Sequence, residues 1–469
     1  MPFFDCLGLI LSGRSAAAGK GSRMGFTEAE RKAWADMRVQ ERLLLHLYRL
    51  VTRLLPDRLI TMVLRRIADR KPDEEDPDRI GERLALGMAA RPEGRLVWMN
   101  AIGPGDATML LPLIRAVLAH DDTTICLVTT RTASAQRVFA RFRGLNRVIV
   151  QLMPLDKPSA IRRFLDHWRP ELAIYGELET WPNALTELKA RAVPVALVNA
   201  QLNGRLGRAL RRKPGIARWM AAHIDYLHLF TEAEAREARD WFRQDCQIVV
   251  ARNLKMDAPA LPVSTEITGA VRAAWGSAPV LTCASVANSE IGRLLEATRI
   301  LRQYLPDLRL ILVPRWIDQG AAIADQVRET GMPFTRRSAG KLPAPQDVVL
   351  VADSYGEMGN WIDLAFVVFM GHTFDRGIGH NPFEPIAQRR MILSGSIPSL
   401  LHADYQYLAD QGLCHVTPDA AAVAGTALRL WRDPALRQRG FEGHEAARGF
   451  SARMTEEMLA LRGGSRTVG

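Results

Sequence analysis

The chain reads as an α/β protein: two Rossmann-like, doubly wound domains facing a cleft, with a basic amphipathic helix ahead of them. Three observations predict this. Short apolar runs alternate with helical patterns from residue 95 to residue 251, and the same alternation begins again at Val280. Between the two series, Asp257-Ala-Pro-Ala-Leu-Pro-Val263 breaks the pattern with two prolines, as an interdomain crossing would. With 469 residues, 48% of them hydrophobic, the chain has room for two or three domains with full cores.

Taken in order, residues 1–37 form a variable leader rich in Gly, Ser and Ala. Its apolar run from Cys6 to Leu11 follows Asp5 rather than a positive segment, which argues against a secretory signal. Residues 38–79 hold a membrane-interface helix and linker. Leu43, Leu44, Leu47, Leu50, Val51, Leu54 and Leu55 recur at helical spacing, Pro56 kinks or breaks the helix, and Arg42, Arg49, Arg53, Arg58, Arg65 and Arg66 interleave. Such a helix either lies in an anionic membrane interface with its Arg stems snorkelling, or packs on its own domain. No run reaches the roughly 18 apolar residues of a simple spanning helix. Lys71-Pro-Asp-Glu-Glu-Asp-Pro77 is a charged linker.

The first domain, 80–262, is expected to carry strands at 95–101, 123–130, 147–151, 171–175, 193–199, 226–230 and 247–251. The second, 263–469, is expected to carry them at 280–284, 308–313, 348–352, 365–370 and 391–394, followed by C-terminal helices. Strands alternating with helical patterns follow βαβ logic and imply a parallel sheet covered on both faces.

A net charge of +11 suits a phosphorylated substrate or an anionic membrane surface. Nucleic acid is not expected as a partner, because the arginines are dispersed and no zinc-finger or RNP-type motif is present. The five cysteines are scattered with no CxxC pair, which points to a reducing compartment and to no zinc site.

Chemistry is expected where strands end and helices begin. Gly371-His-Thr-Phe-Asp-Arg-Gly-Ile-Gly379 runs into His380-Asn-Pro-Phe-Glu-Pro385, with Asn381-Pro382 where a helix would start. Glu384 could hold sugar or ribose hydroxyls there. Asn100-Ala-Ile-Gly-Pro-Gly-Asp106 lacks the third glycine of a dinucleotide loop, and Asp106 either caps its helix or acts as a general base. Glu177 and Glu179 face the same way if their strand continues through them. Lys255 and Arg315 are anion candidates, Arg315 with bidentate geometry available. Asp353-Ser-Tyr-Gly356-Glu357 is another strand end leading into a helix. Two prolines deny His380 and Glu384 a regular helical face, so no metal is expected.

Five of these segments, in order over residues 40–440, resemble the 3-deoxy-D-manno-octulosonic acid (Kdo) transferases, glycosyltransferases of the GT-B fold. Glu177-Leu-Glu-Thr-Trp-Pro-Asn183 is similar to E-x-E-L-W-P-N, and Asn253-Leu-Lys-Met-Asp257 to the end of G-N-L-K-F-D. Pro314-Arg315 matches P-R-H, Asp353-Ser-Tyr-Gly-Glu-Met358 resembles D-T-x-G-E-L, and Gly379-His-Asn-Pro-Phe-Glu-Pro385 resembles G-G-H-N-P-L-E-P. The resemblance implies inverting, metal-independent transfer of Kdo from CMP-Kdo to a lipid A precursor, lipid IVA, in lipopolysaccharide synthesis. CMP-Kdo is then a donor substrate, and no cofactor is implied. It also implies attachment at the cytoplasmic face of the inner membrane. In this reading Asp106 is the base, and Glu177 and Glu179 orient the acceptor. Lys255, Arg315, Gly356, Glu357, His380, Asn381 and Glu384 serve the donor.

The chain departs from the pattern at several points. S-V-G-E becomes Gly103-Pro-Gly-Asp106, and N-A-R-L-S becomes Asn199-Ala-Gln-Leu-Asn203. The Gly before N-L-K is Arg252, and Ile378 replaces the first Gly of G-G-H-N. The His of P-R-H is Trp316, and G-G-S is Gly371-His-Thr373. Two other readings follow from these changes: a GT-B transferase with another nucleotide sugar or acceptor, and a non-catalytic sugar-nucleotide-binding protein at a membrane surface.

Overall fold

A computed structural model describes residues 28–140, 146–177, 181–202, 211–374, 377 and 379–463. The chain forms two compact units, residues 1–254 with 450–469, and residues 255–449.

The first unit is built on a seven-stranded sheet: β1 Leu96–Ala101, β2 Ile125–Thr130, β3 Val148–Leu152, β4 Leu172–Gly176, β5 Val195–Ala200, β6 Tyr226–Leu229 and β7 Gln247–Val250. All neighbours are parallel, in the order β3-β2-β1-β4-β5-β6-β7. The direction of winding reverses between β1 and β4, and the strand ends there form the crevice in which doubly wound sheets bind ligands. Alternate residues of β1 serve opposite cores. Leu96 and Trp98 pack with Phe164, Trp168 and Tyr175 on one face, while Val97 and Met99 pack with Leu110, Leu113 and Ile114 on the other.

That second face is closed by the helix Phe450–Ala460, whose Met454, Met458 and Leu459 are buried in it. Burial of three such side chains stabilises by about 1.5–3 kcal/mol each. Tyr226 adds a hydrogen bond, its hydroxyl donating to Glu457 at 2.9 Å. The C-terminal segment therefore belongs with the first sheet rather than with residues 263–449. The crossing also lies earlier than 262/263. Arg448 donates to the carbonyls of Asp257 and Ala258, and Gly449 N–H donates to Asp257 Oδ1, which ties residues 257–258 into the second unit.

The leader contributes to the first unit as well. Residues Glu28–Asp36 form a helix, and Ala33 and Met37 pack with Leu45 around the buried Trp219. The basic stretch is two helices, Val39–Leu54 and Asp57–Arg70, broken at Pro56. The packing reading is met in part. Leu45, Ile60 and Leu64 are buried against the first unit, whereas Leu47, Leu50, Leu54, Leu59 and Met62 stay exposed among the exposed Arg53, Arg58, Arg65 and Arg66. Among the described residues no helix is long and apolar enough to cross a membrane.

A buried carboxylate fastens the first of these helices. Tyr48 donates its hydroxyl to Asp156 Oδ2 at 2.7 Å, and the same carboxylate accepts the N–H groups of Asn183 and Ala184 that open the helix Pro182–Ala190. Burial pushes the Asp156 carboxyl up to about 6, against the opposing pull of those hydrogen bonds. Its contribution to stability is fully present below the unfolded value near 4 and is lost as pH rises through about 6. Relative to Asp156→Asn, the protein should lose about 3 kcal/mol between about pH 4 and pH 7, two units at about 1.4 kcal/mol each. Urea melts of both proteins across that range measure it; a pH-independent difference contradicts the assignment.

The second unit repeats the architecture with β8 Val280–Val286, β9 Arg309–Pro314, β10 Phe334–Arg336, β11 Val349–Val351, β12 Val367–Met370, β13 Ile392–Ser394 and β14 Cys414–Val416. Its parallel order is β10-β11-β9-β8-β12-β13-β14, so the winding reverses between β8 and β12. The short edge strands β10 and β14 are additions to the strands expected from sequence.

Candidate functional site

In the first unit, two acidic residues flank the reversal point. Asp106 follows β1 in the first turn of the helix Pro104–His120, where Gly103 N–H donates to its Oδ2 at 3.1 Å. The carboxylate thus caps its own helix and remains half-buried, and among the described residues its other oxygen takes no hydrogen bond. Glu177 follows β4. Its N–H donates to Val198 O at 2.8 Å, but its φ of 58° turns the chain out of the strand. The strand ends at Gly176 and does not continue through Glu177. Glu179 lies outside the described residues. Gly176 packs closely, a Cβ there meeting Met109 Cε at 2.7 Å, so the Glu177 backbone is held against β1 and its helix.

Beside them, Asn199 sits at φ 60° in a bulge between β5 and β6 and accepts the N–H of Leu254 at 2.9 Å. Its amide donates to Asn253 Oδ1 at 3.1 Å. This holds Asn253 and Leu254 at the end of the first unit, and Lys255 begins the second.

In the second unit the reversal point is more crowded. Strand β8 bulges between Cys283 and Val286, with Ser285 at φ 56°. Gly371, just past β12, touches that bulge so closely that a Cβ would lie 2.4 Å from Ser285 O. Only glycine fits there. The loop that follows is organised by Glu290, a buried residue that sequence reading passed over. Its Oε2 accepts from Ala287 N at 2.9 Å and His372 N at 2.7 Å, and its Oε1 from Thr373 N at 2.9 Å and Phe374 N at 3.2 Å. The Ser-Glu pair at a helix start was the available signal, but nothing local names the partners.

The expected donor residues separate into two groups. Arg315, His380, Asn381, Glu384 and Lys255 interact. Arg315, exposed past the end of β9, and Lys255 both act electrostatically on Glu384, which burial raises and the Asn381 hydrogen bond, Lys255 and Arg315 partly lower. Asn381 Nδ2 donates to Glu384 Oε1 at 3.3 Å, while Asn381 Oδ1 accepts Phe383 N–H and so caps the turn Phe383–Ala387. Burial, then Arg315, then His372 push the His380 imidazole down to about 3, so it is neutral across physiological pH. Tyr405 donates to His380 O at 2.9 Å and fixes its backbone.

Gly356 and Glu357 form the other group. Gly356 makes the turn at φ 83°, and Glu357 accepts two bonds from Arg337, at 3.0 and 2.8 Å, and one from Ser354. That carboxylate is occupied within the fold, so its contribution is to the shape of the strand end rather than to free charge. Among the described residues no group of three or more His, Cys, Asp and Glu is arranged around a metal position.

A weakly basic cluster with a neutral imidazole and one deep carboxylate is chemically suited to an anionic group bearing hydroxyls. The crystal structure of UDP-GlcNAc 2-epimerase from Neisseria meningitidis bound to UDP-GlcNAc superposes with a TM-score of 0.55 at 11% identity, over 78% of this chain and 99% of that one. That likeness speaks for the fold alone. Residues 78–258 match the sequence profile of the 3-deoxy-D-manno-octulosonic-acid transferases. The chain is similar to the 3-deoxy-D-manno-octulosonic acid transferase of Haemophilus influenzae Rd, 26% identical over 78% of this chain and 87% of that protein. It is 30% identical to the enzyme of that name from Bordetella pertussis, over 80% of this chain and 87% of its relative. Matching over nearly the whole of such relatives, the chain belongs to the 3-deoxy-D-manno-octulosonic acid transferase family.

Proposed function

We propose that this glycosyltransferase moves Kdo from CMP-Kdo to a hydroxyl of a lipid A precursor in lipopolysaccharide synthesis. The observation that carries the proposal is the gathering of Arg315, Lys255, His380 and Glu384 at the β8/β12 end of the second sheet. CMP-Kdo brings a phosphate and a sugar carboxylate, which suit Arg315 and Lys255, while its hydroxyls suit Glu384 and Asn381. In the first unit Asp106 is the candidate base. The leaving group is a nucleoside monophosphate, a stable anion, so the step that needs protein help is removal of the acceptor proton. Glu177 and Glu179 are the candidate acceptor-side carboxylates.

The exposed Leu50, Leu54, Leu59 and Met62 lie among Arg53, Arg58, Arg65 and Arg66, which supports docking on the anionic cytoplasmic face of the inner membrane. A phosphorylated lipid acceptor would be met there.

The test is transfer by the purified full-length chain, with CMP-Kdo generated in situ and a tetra-acylated lipid A precursor presented in anionic vesicles. Mass spectrometry should show a gain of one or more Kdo units, and raised salt should release the protein from the vesicle pellet. No gain, beside a relative that works in the same mixture, would overturn the donor and acceptor assignment.

A further inference from the structure

The second unit holds a cavity that the donor-site reading does not use. It measures about 470 Å³, within the usual range of small-molecule pockets, and lies where β8, β12 and β13 begin. Arg315 and His380 stand beyond the other ends of the strands. Strand β8 alone is 7 residues long, so at about 3.3 Å per residue roughly 20 Å of sheet separates the two places.

The charge of this cavity is unbalanced. Arg272, Arg389, Arg390 and Arg437 line it, and Asp363 is the one carboxylate among its walls. Glu445, outside the cavity, pairs with Arg389, and Asp363 pairs with Arg272. Arg390 Nη2 donates to Asp363 O at 2.8 Å. Arg437 has no carboxylate partner among the described residues, and its guanidinium lies 5.5 Å from the centre of the Trp431 ring. These groups feel one another: burial lowers the pKa of Arg390, Asp363 raises it, and Arg272 and Arg437 lower it again.

Helix ends work against an anion here. The helices Thr265–Trp275, Met358–Leu364 and Ala420–Arg432 all finish at the cavity. Each C-terminus carries about half a negative charge, felt within its last turn. Three guanidinium charges remain once Glu445 is paired with Arg389, against Asp363 and about one and a half units from the helix ends. The cavity stays mildly positive. This mixture also selects the ligand. It suits an anion that brings hydrogen-bond donors for helix-end carbonyls and a flat body for the walls Trp275 and Trp431. Phe366 meets Trp431 edge-on, with centroids 5.3 Å apart and planes at 69°, and so holds that ring in place. A bicyclic base covers an indole more fully than a single ring does. We propose that this cavity binds a purine nucleotide, its phosphate on Arg437 and Arg272, its base against Trp431 and its amino group towards the helix-end carbonyls.

The proposal is independent of the donor reading, and the test keeps them apart. Adenosine 5′-monophosphate (AMP) is titrated calorimetrically into the full-length protein and its Arg437→Ala variant, each saturated with cytidine 5′-monophosphate (CMP). One AMP should bind the parent. Inorganic phosphate, which has no ring to stack, should bind at least about tenfold more weakly. Arg437→Ala breaks no ion pair and should keep its melting temperature to within a few degrees. It should bind AMP roughly tenfold more weakly, the effect of losing one hydrogen bond to a charged group. No AMP binding by the parent, binding abolished by CMP, equal binding of AMP and phosphate, or unchanged affinity in Arg437→Ala would each overturn the proposal.

Discussion

Asp106→Asn should leave the protein folded and its transferase activity lower by a hundred- to ten-thousand-fold, the usual range for removing a general base. The cap explains why stability and activity should separate. Gly103 N–H donates to one carboxylate oxygen, and the amide oxygen of asparagine can accept that bond in the same place. Loss of stability is then below about 1 kcal/mol, the typical cost of losing a cap altogether. What asparagine lacks is a basic oxygen for the acceptor proton. CMP affinity should not change, because the groups proposed to hold the nucleotide all lie in residues 255–449. Asp106→Glu is the informative companion. In the sequence pattern that the chain resembles, Glu stands at this position, and Asp is one methylene shorter, a displacement of the kind that can cost about a hundredfold in rate. A rise in kcat with Glu would mean that this chain works below its family's geometry; a fall would mean that its acceptor side has adjusted to Asp. Normal turnover by Asp106→Asn contradicts the base assignment outright.

The fold was legible because both sheets are parallel and covered on two faces, which leaves unbroken apolar runs such as Leu96–Met99 and Val367–Met370. Where that condition lapses, legibility lapses too. Strands β10 and β14 lie at the sheet edges, are three residues long, and carry Thr335, Arg336 and His415, so no apolar run marks them. The helix Phe450–Ala460 is amphipathic, but a pattern of apolar positions names a buried face and not the sheet that buries it. Residues 450–463 therefore fell with the second domain when read from sequence, and with the first in space.

The site divides along the same line. Arg315, His380 and Glu384 stand at strand ends, a local property, and the structure brings them within electrostatic reach of one another. Glu357 looked equally available, yet Arg337 fills its carboxylate from a turn twenty residues away. A strand-end motif announces a position, and the rest of the fold decides whether its charge is spent. Glu290 shows the converse. Its partners are backbone N–H groups, which every residue offers, so no composition signal could point to it.

Glu290→Ala should be the most destabilising single change near the second reversal point. The side chain is about 1% exposed and its two oxygens collect four N–H groups, from Ala287, His372, Thr373 and Phe374. Truncation strands those donors in a dry site, and each bond to a charged acceptor is worth about 1.5–3 kcal/mol. The four share one carboxylate and water will reach some of them, so the net loss should be about 3–5 kcal/mol, at the upper end of what single substitutions do. Glu290→Gln separates charge from shape. It keeps one accepting oxygen but points an NH2 group at two donors, and should recover less than half of the loss. The functional consequence follows from which residues those N–H groups belong to. His372 is fixed through its own backbone by this carboxylate, and His372 in turn holds His380, its Nδ1 lying 3.0 Å from His380 Nε2. Saturating CMP raises the melting temperature of any protein that binds it, in proportion to the logarithm of concentration over Kd. The parent should show that rise. Glu290→Ala and Glu290→Gln should show little or none at the same concentration, since the loop that presents the imidazole pair has lost its anchor. If either variant keeps the parent's CMP-dependent rise despite melting lower, Glu290 supports the fold alone and the loop finds its binding geometry without it.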